Sequence, residues 1–146
     1  MKNNIIIALT ICVALTACSK EETPLTTPPS ATIIAASQFD TLAATKIASG
    51  TFTSAVHPTS GRVTWYLQGN KQYLYFTNFA TDAGPDLRVY ISKERNGGSF
   101  VNIGMLSANT GNQVYEFSGN INPTEYPYIL IWCQRFSVLF GSANIR

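Results

Sequence analysis

The sequence predicts an all-β domain, an antiparallel β-sandwich or barrel of about eight strands. Three observations predict it. From Gly50 onward, short runs rich in aromatic and β-branched residues are separated by Gly, Asn and Pro. Where a run is long enough to test, its apolar residues recur with a period of two. No long stretch with helical periodicity follows the first seventeen residues, and no internal repeat is visible.

Met1-Lys2-Asn3-Asn4 is a short basic segment, and residues 5–14 are apolar. Leu15-Thr16-Ala17-Cys18 fits a lipobox, with a small residue before the cysteine. Residues 1–17 are therefore expected to be a lipoprotein signal peptide. Their apolar run is shorter than the roughly 20 residues that a membrane-spanning helix needs. Cys18 is the expected lipidation site, carrying acyl chains such as palmitate. This places the mature protein in the bacterial cell envelope, attached to a membrane by lipid. Ser19 is not the Asp that favours inner-membrane retention, which points to the cell outer membrane. Lys20-Glu21-Glu22 resembles the Lys-acidic-acidic export signal of bacterial surface lipoproteins, or is simply a solvated linker.

Residues 18–37 are expected to be the lipidated cysteine and a flexible tether. The stretch 23–30 is rich in Pro and Thr and cannot build a core. Residues 38–146 are the expected folded domain, with 38–49 ambiguous between a helical turn and a strand. The strands are predicted at 49–56, 62–68, 72–79, 87–92, 100–106, 113–117, 128–133 and 137–145. Gly69-Asn70 joins two of them at hairpin spacing. Asn96-Gly97-Gly98 and residues 109–112 read as further turns. In 62–68, Val63, Trp65 and Leu67 share one face and Arg62, Thr64, Tyr66 and Gln68 the other, the pattern of a half-buried strand. In 128–133, Ile129, Ile131 and Cys133 face one way and Tyr128, Leu130 and Trp132 the other. Both faces are apolar, so this strand is expected to be central.

Composition excludes more than it suggests. Ten basic side chains are balanced by eight acidic ones and form no stripe, so no nucleic-acid partner is expected. His57 is the single histidine, too few for a blue-copper site or a structural zinc site, and no metal site is expected. Neither a Cys-x-x-Cys pair nor a Gly-rich phosphate loop is present. Of three cysteines, Cys12 leaves with the signal peptide and Cys18 is lipidated. Cys133 then remains as the only thiol and can form no internal disulfide. A triad drawn from His57, Asp86 and Cys133 has no local support. Asp86 ends the turn Gly84-Pro85-Asp86, where it could accept backbone N–H bonds.

Several segments together resemble the electron-transfer DM-thirteen domain, a module also found beside DOMON domains in Skeletor-type proteins. They are Gly50-Thr51-Phe52, His57-Pro58-Thr59-Ser60-Gly61, Asn78-Phe79, Gly84-Pro85-Asp86-Leu87, Gly111-Asn112-Gln113-Val114-Tyr115, Ile131-Trp132-Cys133 and Phe140-Gly141-Ser142-Ala143. The resemblance covers roughly residues 50–145. It implies an electron-transfer or thiol-redox role centred on Cys133, either as a redox thiol or as a ligand to a group such as haem. Trp132, Arg135, Asp86 and His57 are the expected supporting residues, and a redox partner protein is implied.

Physical chemistry offers a rival for Cys133: a small buried hydrophobe in a β core. A reactive thiol needs exposure and a positive neighbour. Arg135 would share the cysteine's face if the strand continued, and a turn at Gln134-Arg135 would break that relation. The alternative function is a non-catalytic surface module that binds carbohydrate, peptide or a partner protein. Trp65, Tyr66, Tyr73 and Tyr75 would line its surface.

Overall fold

A computed structural model describes residues 31–146. The signal peptide, Cys18 and the tether up to residue 30 lie outside the described residues.

The described residues form nine strands: β1 (Thr32–Ile34), β2 (Thr45–Ser54), β3 (Thr59–Gln68), β4 (Lys71–Thr81), β5 (Leu87–Ser92), β6 (Phe100–Met105), β7 (Thr110–Phe117), β8 (Tyr128–Cys133) and β9 (Val138–Asn144). A single 3₁₀ turn, Ala36–Gln38, lies between β1 and β2. The expectation of an all-β antiparallel fold is met. The strands form one antiparallel sheet in the order β1-β7-β4-β3-β2-β9-β8-β5-β6, curled into a half-barrel. β2 makes the curl. Its residues from Thr45 to Thr51 pair with β3, whereas Phe52 to Ser54 pair with β9. One strand thus belongs to both halves, and the two inner faces close on a shared core.

That core is built by the residues that alternation assigns to it. Val63 and Trp65 on β3, Leu74 and Phe76 on β4, and Ile129 and Ile131 on β8 are fully buried. Burying each such side chain contributes on the order of 1.5–3 kcal/mol. Phe52, Phe76 and Phe79 pack edge-to-face or tilted with centroids 5.1–5.3 Å apart, an arrangement aromatic quadrupoles favour. Leu67 falls at the end of its strand and is exposed, although its face is the inner one.

β8 is an interior strand, registered to β5 on one side and β9 on the other. Its outer face is covered as well. The β5–β6 loop folds back across it, Arg95 Nε donates to Ser142 Oγ at 3.0 Å, and Gly97 lies against the Trp132 ring. Leu130 is consequently fully buried. The predicted Gly69-Asn70 hairpin is present, with Gln68 opposite Lys71. Gly69 has φ +61° at the first central position, a conformation glycine adopts without a Cβ penalty.

Two differences from the sequence reading have physical causes. Thr32–Ile34, assigned to the tether, forms the edge strand β1 beside Val114–Glu116 of β7. Three residues are too few to show alternation, and their partner lies some eighty positions away in sequence. β7 begins at Thr110 within the predicted turn 109–112. Gly111 takes φ +96° there, and Asn112 Oδ1 accepts the N–H of Asn78, itself at φ +48°.

The registers define two ends. At the near end lie Thr32, where the chain enters, Thr45, the Gln68–Lys71 hairpin and Phe117. At the far end lie Ser54–Thr59, Thr81–Leu87 and the Cys133–Val138 turn.

Candidate functional site

Cys133 is the last residue of β8, registered between Leu87 at the start of β5 and Val138 at the start of β9. Its side chain is on the core face with Ile129 and Ile131. The residue is 1% exposed, and it is a free thiol. Sequence alternation predicts that face correctly. The next residue leaves the strand: Gln134 N donates to the Asp86 carbonyl at 2.9 Å, and residues 134–137 form an exposed turn. Ser137 closes the turn at φ +53°, a conformation L-residues rarely adopt.

The turn separates Arg135 from the cysteine's face. Arg135 is exposed on the loop and does not continue the strand. Trp132 sits on the opposite face of β8 from Cys133, half-buried. Its ring stacks on Tyr90 at 6.2 Å, and Tyr90 in turn stacks on Phe100 at 4.1 Å.

His57 and Asp86 also lie at the far end, but they do not form a triad with Cys133. His57 Nδ1 meets Asp82 Oδ2 at 3.1 Å, and its ring stacks on Phe140 with centroids 3.9 Å apart. Asp86 Oδ1 accepts from Arg88 Nε at 2.6 Å. Its expected role as an acceptor of backbone N–H bonds falls to its main-chain carbonyl. The Asp86–Arg88 ion pair is partly exposed and contributes about 0–1 kcal/mol.

What closes the far end is a plug that sequence reading does not single out. Phe140, bulged out of register between Ile131 and Trp132 of β8, is buried beneath His57. A Cβ at Gly84 would press on Leu87 and Phe140, and one at Gly141 would collide with Thr59. Thr59 is itself buried, its hydroxyl bonded to Thr81 Oγ1 at 3.1 Å and to the His57 carbonyl at 3.3 Å. The partner of His57 is 25 positions away, which no local motif announces.

Haem is the cofactor implied for Cys133, and the residues present do not fit it. A thiolate ligand must face a cavity that can hold a macrocycle, but this residue is 1% exposed in the core, between its register partners Leu87 and Val138. Among the described residues no group of three or more His, Cys, Asp or Glu could hold a metal ion.

Of the four aromatics expected to line a binding surface, Trp65 and Tyr73 are buried, whereas Tyr66 and Tyr75 are half-buried. Trp65 points into the core, and its Nε1 donates to Gln72 Oε1 at 2.9 Å. Tyr66, Tyr73 and Tyr75 lie on the outer face but are capped by Phe39, whose centroid is 5.4, 4.6 and 5.9 Å from theirs.

A family model described as Electron transfer DM13 matches residues 51–145, which includes every far-end residue described above. No curated protein and no solved structure matches the chain.

Proposed function

The chain belongs to the Electron transfer DM13 family, and from that premise we propose a lipid-anchored envelope protein with an electron-transfer role in which Cys133 is the redox-active group. The observation that carries this reading is the position of Cys133. It is the only cysteine of the matched region, and it stands at a strand end directly before an exposed four-residue turn. The thiol is buried, so its chemistry is gated. Local opening of the 134–137 turn admits a reactant, and the closed state protects the sulfur from indiscriminate oxidation. Membership in the family and the lone thiol support a role in electron transfer; a redox partner protein would dock at the far end. The anchor is Cys18, and several acyl chains make such attachment stable where a single chain does not.

The near-complete burial of Cys133 favours a second reading, in which the sulfur is a structural core group and the domain binds its partner without redox chemistry. Cys133→Ala separates the two, since it removes the sulfur without adding a polar group. The redox reading expects a folded variant that has lost its thiol-dependent oxidation and reduction in voltammetry. The structural reading expects a slightly less stable variant and an unchanged, silent voltammogram in both proteins. For the anchor, Cys18→Ala should release the protein from the membrane fraction. A variant that stays lipidated would overturn that assignment.

A further inference from the structure

We propose that the near end of the half-barrel docks on the lipid surface to which the chain is tethered, with Leu42, Ile47 and Leu67 entering the headgroup layer. The inference rests on the anchored reading above, and it adds a second, direct contact between domain and membrane.

Three exposed aliphatic side chains gather on β2, β3 and the turn before them. Leu42 is 95% exposed, yet it sits on an ordered turn in which its own N–H donates to Asp40 Oδ1 at 2.8 Å. Ile47 is thrown out of register by the bulge between Lys46 and Ala48 and is left 39% exposed. Leu67 lies opposite Thr45 at the end of β3 and is 40% exposed. Nothing in the sandwich requires these side chains to face water. Exposed aliphatic side chains at one end of a domain are a feature by which a peripheral domain inserts into an interface.

The surroundings suit phospholipid. Beside Ile47 a cleft of about 440 Å³ is lined by Pro123, Pro127, Ile145 and Arg146. Lys71 and Lys93 are paired with Glu116 and Glu125, whereas Lys46 and Arg146 enter none of the ion pairs among the described residues. Those two cations can meet anionic headgroups. Asp40 is exposed next to Leu42, so the apolar side chains lead and charge assists.

Connectivity selects a membrane over another partner. β1 runs away from the near end, with Thr32 beside Glu116, so the described chain enters there. Cys18 lies thirteen positions before Ala31, at most about 45 Å of extended chain. A lipid on Cys18 therefore keeps the end at which the chain enters within about 45 Å of the bilayer, and docking there points Cys133 away from it.

The test uses the lipidated protein in a Cys133→Ala background, carrying a polarity-sensitive dye at Leu42→Cys or, as control, at Val56→Cys. Val56 is equally apolar, 70% exposed, and at the far end. Each protein is mixed with excess vesicles of phosphatidylethanolamine and phosphatidylglycerol. Flotation reports the anchor, and aqueous quenching reports the surface. The expected result is a blue shift and loss of quenching at position 42, no change at 56, and loss of the shift in a Leu67→Asp background with the fold intact by circular dichroism. Equal quenching of both dyes on floated protein overturns the docking surface while the anchor stands. Flotation and shielding at 42 that are unchanged in Cys18→Ala protein retire the anchor and keep the surface. Shielding at 42 without vesicles, with a dimer in sedimentation, assigns the patch to a second copy and overturns the proposal, as does the absence of both flotation and shielding.

Discussion

The two ends of the half-barrel are built from the same strands, and each displaces one apolar side chain from register, in opposite senses. At the far end a phenylalanine, Phe140, is drawn out of register to fill the mouth of the core, and a histidine ring seals it. At the near end an isoleucine, Ile47, is pushed out of register into solvent. Both are β-bulges on strands adjacent in the sheet. A bulge re-aims one side chain without ending the strand. The two displacements differ in sense: one fills the mouth of the core and the other leaves an aliphatic side chain in solvent, where Val56 and Phe136 also stand at the far end.

The largest expected effects come from two glycines at close approaches of β9, Gly50 on β2 and Gly141 facing Thr59 of β3. Gly50→Ala would drive a Cβ into the carbonyl of Asn144, and Gly141→Ala would drive one into Thr59. Each should lower stability by about 1–3 kcal/mol or more, as overpacking does. Denaturant midpoints measure it. If the approach at the far end is only side-chain deep, Gly141→Ala will be the milder change and Thr59→Gly will rescue it. Rescue of Gly50→Ala by any neighbouring side-chain truncation would show that the near end is looser than described.

Substitutions at Cys133 come next. Serine places a hydroxyl in an apolar site and should cost about 1–3 kcal/mol. Alanine should cost less, because it leaves only a small void. The order Ser worse than Ala, read as melting temperatures, checks the burial; the reverse order would mean that water or a polar partner already reaches the sulfur.

The smallest effect concerns the seal. His57→Ala removes a partly exposed side-chain contact with Asp82 and a ring stacked on Phe140. Asp82→Asn removes only the charge and should change stability by less than about 1 kcal/mol. His57→Ala should exceed Asp82→Asn and should raise the native reactivity of Cys133 if the plug and the turn open together. An equal, negligible response of thiol reactivity to both variants would uncouple the plug from the turn.

Much of this contrast was legible in the sequence where it depends on alternation, and little of it where it depends on distant pairing. The two apolar faces of 128–133 correctly indicate an interior strand and the side of Cys133, because pleat geometry leaves no other choice. The Gly69-Asn70 hairpin is equally local. β1 escapes because three residues carry no period and its partner is remote. Tyr66, Tyr73 and Tyr75 read as a binding surface because their cover, Phe39, comes from a stretch with no clear pattern. Arg135 reads as a neighbour of the thiol only if the strand is extended through a turn, and the turn wins. The seal over Phe140 is invisible for the same reason as β1: His57, Asp82 and Phe140 belong to three separate segments.

The central claim is that Cys133 is reached by local opening of the 134–137 turn. Its most direct test is the alkylation rate of the native thiol as a function of low denaturant concentration, set beside global unfolding under the same conditions. Local opening exposes little surface, so the account predicts a measurable rate in native buffer that scarcely depends on denaturant well below the unfolding midpoint. A thiol that reacts only in proportion to the globally unfolded fraction, with the full denaturant dependence of unfolding, would contradict it and leave Cys133 as a structural core residue.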